Sequence, residues 1–476
     1  MMTDAGLELD QIQGNIFPGF FKDAQDFLFV SFPSRQAGET WLTSLPAKLS
    51  PARRVNEENA AWLAEKDRLK KEAPPGVEPK SPPPTAPSWA SVAISATGLS
   101  KLGVDPSGLE KEFNYSPADR AEHLGDSDVF GTFEVGGKTT EADALLIVGT
   151  NNDDEMKTYL ETTFRLDAAS GKVGEVDLLA HFRGRSLGKR REHFGFIDSL
   201  SQPVPGALSK ALADDDKWDP DPSYVAPGEF ILGAKNEEGK STLSGPEWAR
   251  SGSYLTFRKM RQSIPEWTAA LSHVTDELAA HNLTADEDIV AAKLLGRARG
   301  SEAVVDFAND ADGKGCPLFA HIRKANPREE SEAESRQHRI IRRGIPYGPK
   351  FEPGDPPDAA NVDRGMLFVA YQASIARGFE FVQTRWLGTN LFPHPGANGG
   401  PELSVLRAPG ADPFTGWDVS GNRTVLYHKG TTGSEWDDFV RVTVPRFVHV
   451  TGSGYFFAPA IGRIADMLNS RQGSTL

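Results

Sequence analysis

Three short stretches of the chain carry side chains that could do chemistry. HFGFIDSLSQPVPG, residues 193–206, sets Asp198 between an aromatic, glycine-containing approach and a serine/proline turn. KGCPLFAHIRKANP, residues 314–327, brings one histidine, His321, to the end of an apolar run, with the cations Arg323 and Lys324 just behind it. RIIRRGIPYGP, residues 339–349, delivers Arg342 and Arg343 from an apolar pair to a Gly/Pro-rich turn. Each has an ordinary reading. Asp198 could cap a helix or close an Asx turn, His321 could be a satisfied core or surface residue, and the two arginines could be a solvated or ion-paired couple.

Read together, the three offer more. An imidazole can donate to a metal, a carboxylate can move a proton, and a guanidinium stays charged at any working pH. This is the set needed around a peroxide held on the iron of a haem, with the imidazole on one side and the other two groups on the opposite side. Two competing readings use neighbouring residues. His193, Asp198 and Ser201 contain the residue types of a hydrolase triad, although no G-x-S-x-G elbow accompanies them. Cys316, five residues before His321, could supply a thiolate ligand to haem in place of the imidazole.

The elements that must position these residues alternate between apolar runs and amphipathic stretches. DFLFVSF (26–32) leads into a helical RQAGETWLTSL, SVAISATGLSKLG (91–103) reads as a strand with a short helix, and ADALLIVGT (142–150) precedes DDEMKTYLETTF. Asp153 and Asp154 in that last stretch suit a helix N-terminus. The second half repeats the theme: GSYLTFRKM (252–260) before IPEWTAALSHVTDEL, GMLFVAYQASIARGFEF (365–381) as a strand running into a helix, then FVRVTVPRFVHV and GYFFAP. Two halves of similar order predict a duplicated α+β unit, with helices packed on mostly antiparallel sheets. The turn-rich WDPDPSYVAPGEF (218–230) is the natural boundary, which gives units of 1–225 and 226–476. The proline-rich stretch 73–88 reads as an extended surface loop within the first unit, and 328–339 as a charged helix or loop.

Composition narrows the partners. Of 476 residues, 52 are basic and 66 acidic, and the resulting net charge of −14 argues against nucleic acid, whose binding depends on cations neutralising phosphates. No apolar stretch approaches the roughly 18 residues of a membrane span. The acidic N-terminal stretch lacks a basic and apolar leader, so the expectation is a cytoplasmic protein meeting small molecules. A single cysteine excludes an intramolecular disulfide or a multi-cysteine metal cage. Whether the chain is a monomer or a homo-oligomer is open at this level. The basic run RGRSLGKRRE (183–192) reads as an exposed basic face or as a lure for anions.

The chemistry-bearing segments resemble those of the dye-decolorizing peroxidases. FGFIDSLSQP is similar to that family's distal G-x-x-D-G motif, here Gly195 to Ser199; AHIRKANPR resembles its proximal-ligand segment and RRGIPYG its distal-arginine segment. GMLFVAYQASIARGFEFVQTRW and the opening QIQGNIFPGF also look like the family, so the likeness covers most of the chain. It implies two ferredoxin-like domains, each an antiparallel sheet with helices packed on it, with haem b (iron protoporphyrin IX) between sheet and helices of the C-terminal domain. It also implies a peroxidase that reduces hydrogen peroxide and oxidises dyes or phenolic and other aromatic donors in one-electron steps through a ferryl species. Carried over residue by residue, it makes His321 the iron ligand, Asp198 the distal carboxylate and Arg342 the distal arginine, with Arg343 in reserve. The family pattern further implies an acidic partner for the other imidazole nitrogen, Asp412 in DPFTG first and Glu402 next. Arg323, two residues past the ligand, is the expected propionate partner.

One position departs from the pattern, because Ser199 stands where the motif has glycine. That leaves open a runner-up, a haem storage, carrier or iron-extracting protein with little turnover. For bulky donors, Trp386, Trp417 and Tyr347 are the candidates for carrying electrons from the surface, since they lie nearest the family-like segments.

Overall fold

A computed structural model describes residues 7–74, 88–126, 129–198, 202–205, 224–301, 310, 313–327, 332–352, 355–393, 408–416, 423–429 and 439–470. Ser199, Ser201, Glu402, Trp417, most of the proline-rich stretch and the first part of the 218–230 boundary lie outside the described residues.

Eight strands form the scaffold. In the first half they are β1 (Ala24–Ser31), β2 (Ser88–Ile94), β3 (Ala144–Thr150) and β4 (Val176–Arg185). In the second they are β5 (Ser253–Gln262), β6 (Ile345–Tyr347), β7 (Gly365–Gln372) and β8 (Val448–Ala458). Hydrogen-bonded neighbours run β4-β1-β3-β2 in the first half and β8-β5-β7-β6 in the second. Numbered within each half, both orders are 4-1-3-2, every pairing is antiparallel, and helices fill the crossovers. This is the split βαβ arrangement of a ferredoxin-like unit, present twice.

The two sheets do not stand apart. β2 meets β8 at Phe457 and Ile94, and β6 meets β4 at Tyr347 and Gly184, so the eight strands close on themselves. In each seam strand 2 of one half touches strand 4 of the other. Closure removes the exposed edges that an open sheet would present. Gly184 is required there, since a Cβ on it would lie 2.1 Å from Ile345 Cγ2.

The interior explains the sequence pattern. Phe27, Phe29, Leu145, Ile147, Leu255, Phe257, Leu367, Val369 and Phe456 point into the barrel, and Phe29 meets Phe257 edge-on at 4.8 Å. The alternate residues Leu28, Val30, Val92, Leu146 and Val148 face outward under helices. Both faces of these strands are therefore buried, and they read as continuous apolar runs rather than alternating ones.

Helix α1 (Arg35–Thr43) is capped by Ser34 and buries Trp41 and Leu42; helix α2 (Asp153–Thr163) is capped by Asn152, carries three acidic residues in its first turn and buries Met156 and Leu160. A 21-residue helix, Ala52–Glu72, falls in a stretch whose pattern had suggested no element.

On the second half the outer face is used differently. Helix α3 (Ile264–Ala280), capped by Ser263, packs Trp267, Leu271 and Val274 against Phe194, Phe447 and the antiparallel pair Arg423–His428 with Phe439–Val444. That packing holds the helices and loops away from β5 and β7, and a cavity opens between them.

Candidate active site

The cavity has a floor of outward-facing strand residues, Met260, Gln262, Met366, Phe368, Val448 and Val450. Opposite stand Ile322, Ala325, Val382, Leu387 and Phe414, and its volume of about 290 Å³ is far beyond a packing void. His321, Asp198 and Arg342 all line it. Residues 21 to 144 positions apart in the chain thus meet in one chamber.

His321 opens a five-residue helix, α4 (His321–Ala325), whose preceding Phe319 is fully buried against Tyr427 at 4.8 Å. Its Nδ1 lies 3.1 Å from Asp412 Oδ1. Asp412 is itself fixed: Oδ2 accepts from Thr415 N at 2.7 Å and Thr415 Oγ1 at 2.8 Å, and its own N–H donates to Leu387 O at 2.8 Å. Full burial alone would raise the Asp412 carboxyl, but the His321 imidazole and the Thr415 donors outweigh it and hold the carboxyl at about 2. Asp412 is therefore an anion aimed at Nδ1, which leaves Nε2 as the ring nitrogen that could take a metal.

Lys324 steadies this unit from below. Fully buried, it donates to Thr389 O at 2.9 Å, to Gly410 O at 2.9 Å and to Phe392 O, so its amine, lowered by burial to about 7, ties the α4 helix to the loop that carries Asp412.

Asp198 sits at the end of a tight hairpin. Arg191 and Ile197 form a bridge, Asp198 N donates to Arg190 O at 2.8 Å, and Gly195 turns the chain with a φ of +92° that favours glycine. Arg342 comes from Ile341–Arg342, a two-residue strand paired with β7, and its N–H donates to Gln202 Oε1 at 3.1 Å. Its Nη1 donates to Asp198 Oδ1 at 3.1 Å, with both side chains about one-third exposed. Arg343 faces the other way: half-buried, it donates to Asn15 O and Ile16 O and anchors the N-terminal segment.

Arg323 is a correction to the sequence reading. It is fully buried, it does not line the cavity, and its guanidinium is held by Asp310 and the Cys316 carbonyl. On a helix of five residues, a side chain two positions from His321 points to a different face, so it clamps its own loop and not a propionate. Among the described residues, the cations that line the cavity besides Arg342 are Arg258, which is paired with Asp126, and Arg297, Arg339, Arg423 and Arg446. Arg339 could have been found, because it opens the RIIRRG motif; the others carry no local signal.

The competing readings lose their geometry. His193 Nε2 bonds to Tyr347 O at 2.8 Å, burial lowers its imidazole to about 4, and the Asp198 carboxylate is engaged by Arg342. Cys316 is buried and does not line the cavity. Trp386 and Tyr347 are buried too, at 3% and 6% exposure, so neither is a surface outlet. In the basic run, Arg185 is absorbed by Asp26 and Asp153.

The donor set fits a haem. An imidazole with an anionic partner, an apolar slot between sheet and helices, and several arginines along its wall match an iron, a porphyrin plane and two carboxylates.

Comparison with known proteins points the same way. The family described as "DyP dimeric alpha+beta barrel domain" matches residues 11–178, and "Dyp-type peroxidase, C-terminal" matches 229–391. The chain is similar to Peroxidase 2 of Mycetinis scorodonius, 28% identical over 98% of this chain and 89% of that one. The structure of an ancestral D-type dye decolorizing peroxidase superposes with a TM-score of 0.76 at 26% identity, covering 97% of this chain and 99% of the other. A deferrochelatase of Escherichia coli O157:H7 is 32% identical, but over 31% of each chain only. With both family segments in order, the doubled ferredoxin-like barrel with a cavity on its outer face, and full-length likeness to such enzymes, the chain belongs to the dye-decolorizing peroxidase family.

Proposed function

We propose that the cavity would hold haem b with His321 as the iron ligand, and that Asp198 and Arg342 are the residues that act on peroxide beside it. The enzyme is a peroxidase, reducing hydrogen peroxide and oxidising dyes and phenolic or other aromatic donors. When bound, the haem supplies the redox-active iron at which the O–O bond is broken. Asp412 accepts the Nδ1 hydrogen bond of His321 and makes the imidazole a stronger donor. The Asp198 carboxyl takes a proton from the nearer peroxide oxygen and returns it to the departing one. Arg342, paired with Asp198, stabilises the negative charge that develops on that departing oxygen. Arg297, Arg339, Arg423 and Arg446 take the propionate role that the sequence had assigned to Arg323. We also take 1–225 and 226–476 as the two units, a division supported by the repeated 4-1-3-2 strand order.

The observation that carries this reading is the pair of couples, His321 with Asp412 and Asp198 with Arg342, opening on one cavity. A haem store or iron-extracting protein needs the first couple and has no use for the second. The test is the visible spectrum of the haem-loaded chain before and after one equivalent of peroxide, followed by turnover of an anthraquinone dye at both acidic and neutral pH. A haem spectrum that peroxide leaves unchanged, with no dye bleached, favours storage. In His321→Ala, a pigment bound with unaltered axial coordination removes His321 as the ligand.

A further inference from the structure

One carboxyl in the cavity wall has no part in the chemistry above. Glu192 begins the hairpin that ends at Asp198, and its side chain folds back into that hairpin. Oε2 accepts from Phe194 N at 3.0 Å, Oε1 from Phe196 N at 2.8 Å, and Gln262 Nε2 at the end of β5 donates to Oε2. The main chain closes the same loop, Glu192 N to Phe196 O at 3.0 Å and Gly195 N to Glu192 O at 3.0 Å. Gln262 is held in turn, since its N–H donates to Arg364 O at 2.8 Å. The carboxylate is thus the pin between the Asp198 hairpin and the cavity floor.

We propose that Glu192 is the positioning residue for Asp198: its ionised carboxylate gathers the hairpin amides and Gln262, and so sets where the Asp198 carboxyl stands in the cavity. The proposal rests on the reading of Asp198 as the residue that moves the peroxide proton.

Three N–H donors converge on Glu192, and all favour its charged form. Burial opposes them and dominates, raising the carboxyl to about 7. The charged groups around it leave this balance intact. Its own hairpin contributes Asp198, which raises it further, and His193, which is turned to Tyr347 O and kept neutral by burial. β5 contributes Gln262, which is uncharged, and Arg258, which is paired with Asp126 at 2.6 Å. The clasp is therefore tight above neutral pH and weakened below it, because a protonated carboxyl is a poorer acceptor for the same three donors.

The experiment compares the haem-loaded wild type with Glu192→Gln, Glu192→Asp and Gln262→Leu. Two quantities are followed from pH 5 to 9: hydrogen exchange of the Phe194 and Phe196 amides, corrected for intrinsic rates, and the stopped-flow rate of the reaction with peroxide. In the wild type both protection and rate should rise through an inflection near pH 7. Glu192→Gln turns an amide donor toward main-chain N–H groups, so protection should fall about tenfold or more and the inflection should vanish from both readouts. Glu192→Asp should restore a displaced inflection, and Gln262→Leu, which removes one donor to the anion and leaves the hairpin sequence intact, should move it to higher pH. Lost protection with an unchanged pH profile of the rate would make Glu192 a structural residue only and overturn the proposal; so would a Gln262→Leu protein with the wild-type inflection. If Asp198→Asn reacts with peroxide at the wild-type rate, it is the reading of Asp198 that fails, and the exchange data then still report on the clasp.

Discussion

Replacing Asp412 with Asn tests the proximal couple with little change of shape. The carboxyl is completely buried, and its fall from the usual 3.8 to about 2 measures how much better the folded chain binds the anion than the acid. At about 1.36 kcal/mol for each tenfold in proton affinity, that is about 2 kcal/mol of stability at neutral pH. The sign follows from the direction. A carboxyl whose folded value is depressed contributes fully above its unfolded value, near 4, and loses the contribution as pH falls toward 2. Asn adds a second cost, because its amide N–H₂ must face either His321 Nδ1–H or the Thr415 donors, and a misfaced buried donor costs about 1–3 kcal/mol. Urea unfolding of haem-free wild type and Asp412→Asn, followed by near-ultraviolet circular dichroism, should therefore show a deficit of about 3–5 kcal/mol at pH 7 that shrinks by about 2 kcal/mol between pH 4 and 2. In the haem-loaded chain the same substitution should weaken haem retention by about 10- to 100-fold, as loss of an orienting partner does at other metal sites. A deficit that stays constant with pH would mean that Asp412 acts by shape and not by charge, and the account of His321 as an imidazole strengthened by an anion would be wrong.

Arg342→Leu should slow the reaction with peroxide by about 100-fold or more in stopped flow, since it removes the charge that meets the departing oxygen; near-normal rates would take Arg342 out of the mechanism. Lys324→Met should lower stability by about 2–4 kcal/mol, because three buried carbonyls lose their N–H donor, and should loosen the Asp412 loop enough to speed haem loss; a protein as stable as wild type would refute the cage. Gly184→Val should prevent closure between β4 and β6, because Ile345 occupies the space of the new side chain, and should appear as low solubility and an early thermal transition. Full solubility with the wild-type transition would show that the seam can shift to make room.

Some of the site was legible in three short strings of residues. Asp198, His321 and Arg342 lie in local signals, namely a glycine-turned aromatic loop, a histidine closing an apolar run and an apolar pair delivering arginines, and the structure brings all three to one cavity. Asp412 was reached only through the family resemblance, and the structure sets it against His321 Nδ1 and caps it with Thr415. Arg323 misled because proximity in sequence was taken for proximity in space, whereas a short helix turns neighbouring side chains through about 100° per residue. Glu192, Lys324, Arg423 and Arg446 had no readable role, since each is defined by what folds against it from distant parts of the chain.

The sequence by itself determined most of the scaffold's elements and their order, the helix Ala52–Glu72 excepted. Apolar runs had to become strands buried on both faces, capped amphipathic stretches had to become helices, and two similar halves had to give two similar units. Only the tertiary structure decided that the two sheets close into one barrel, that the outer face of β5 and β7 floors a cavity, and which arginine looks in or away. The reason is physical: local propensity and periodicity act over a few residues, while the seams at Gly184 and Ile94 and the couples across the cavity depend on contacts between residues about 90 to 360 positions apart, which no local pattern encodes.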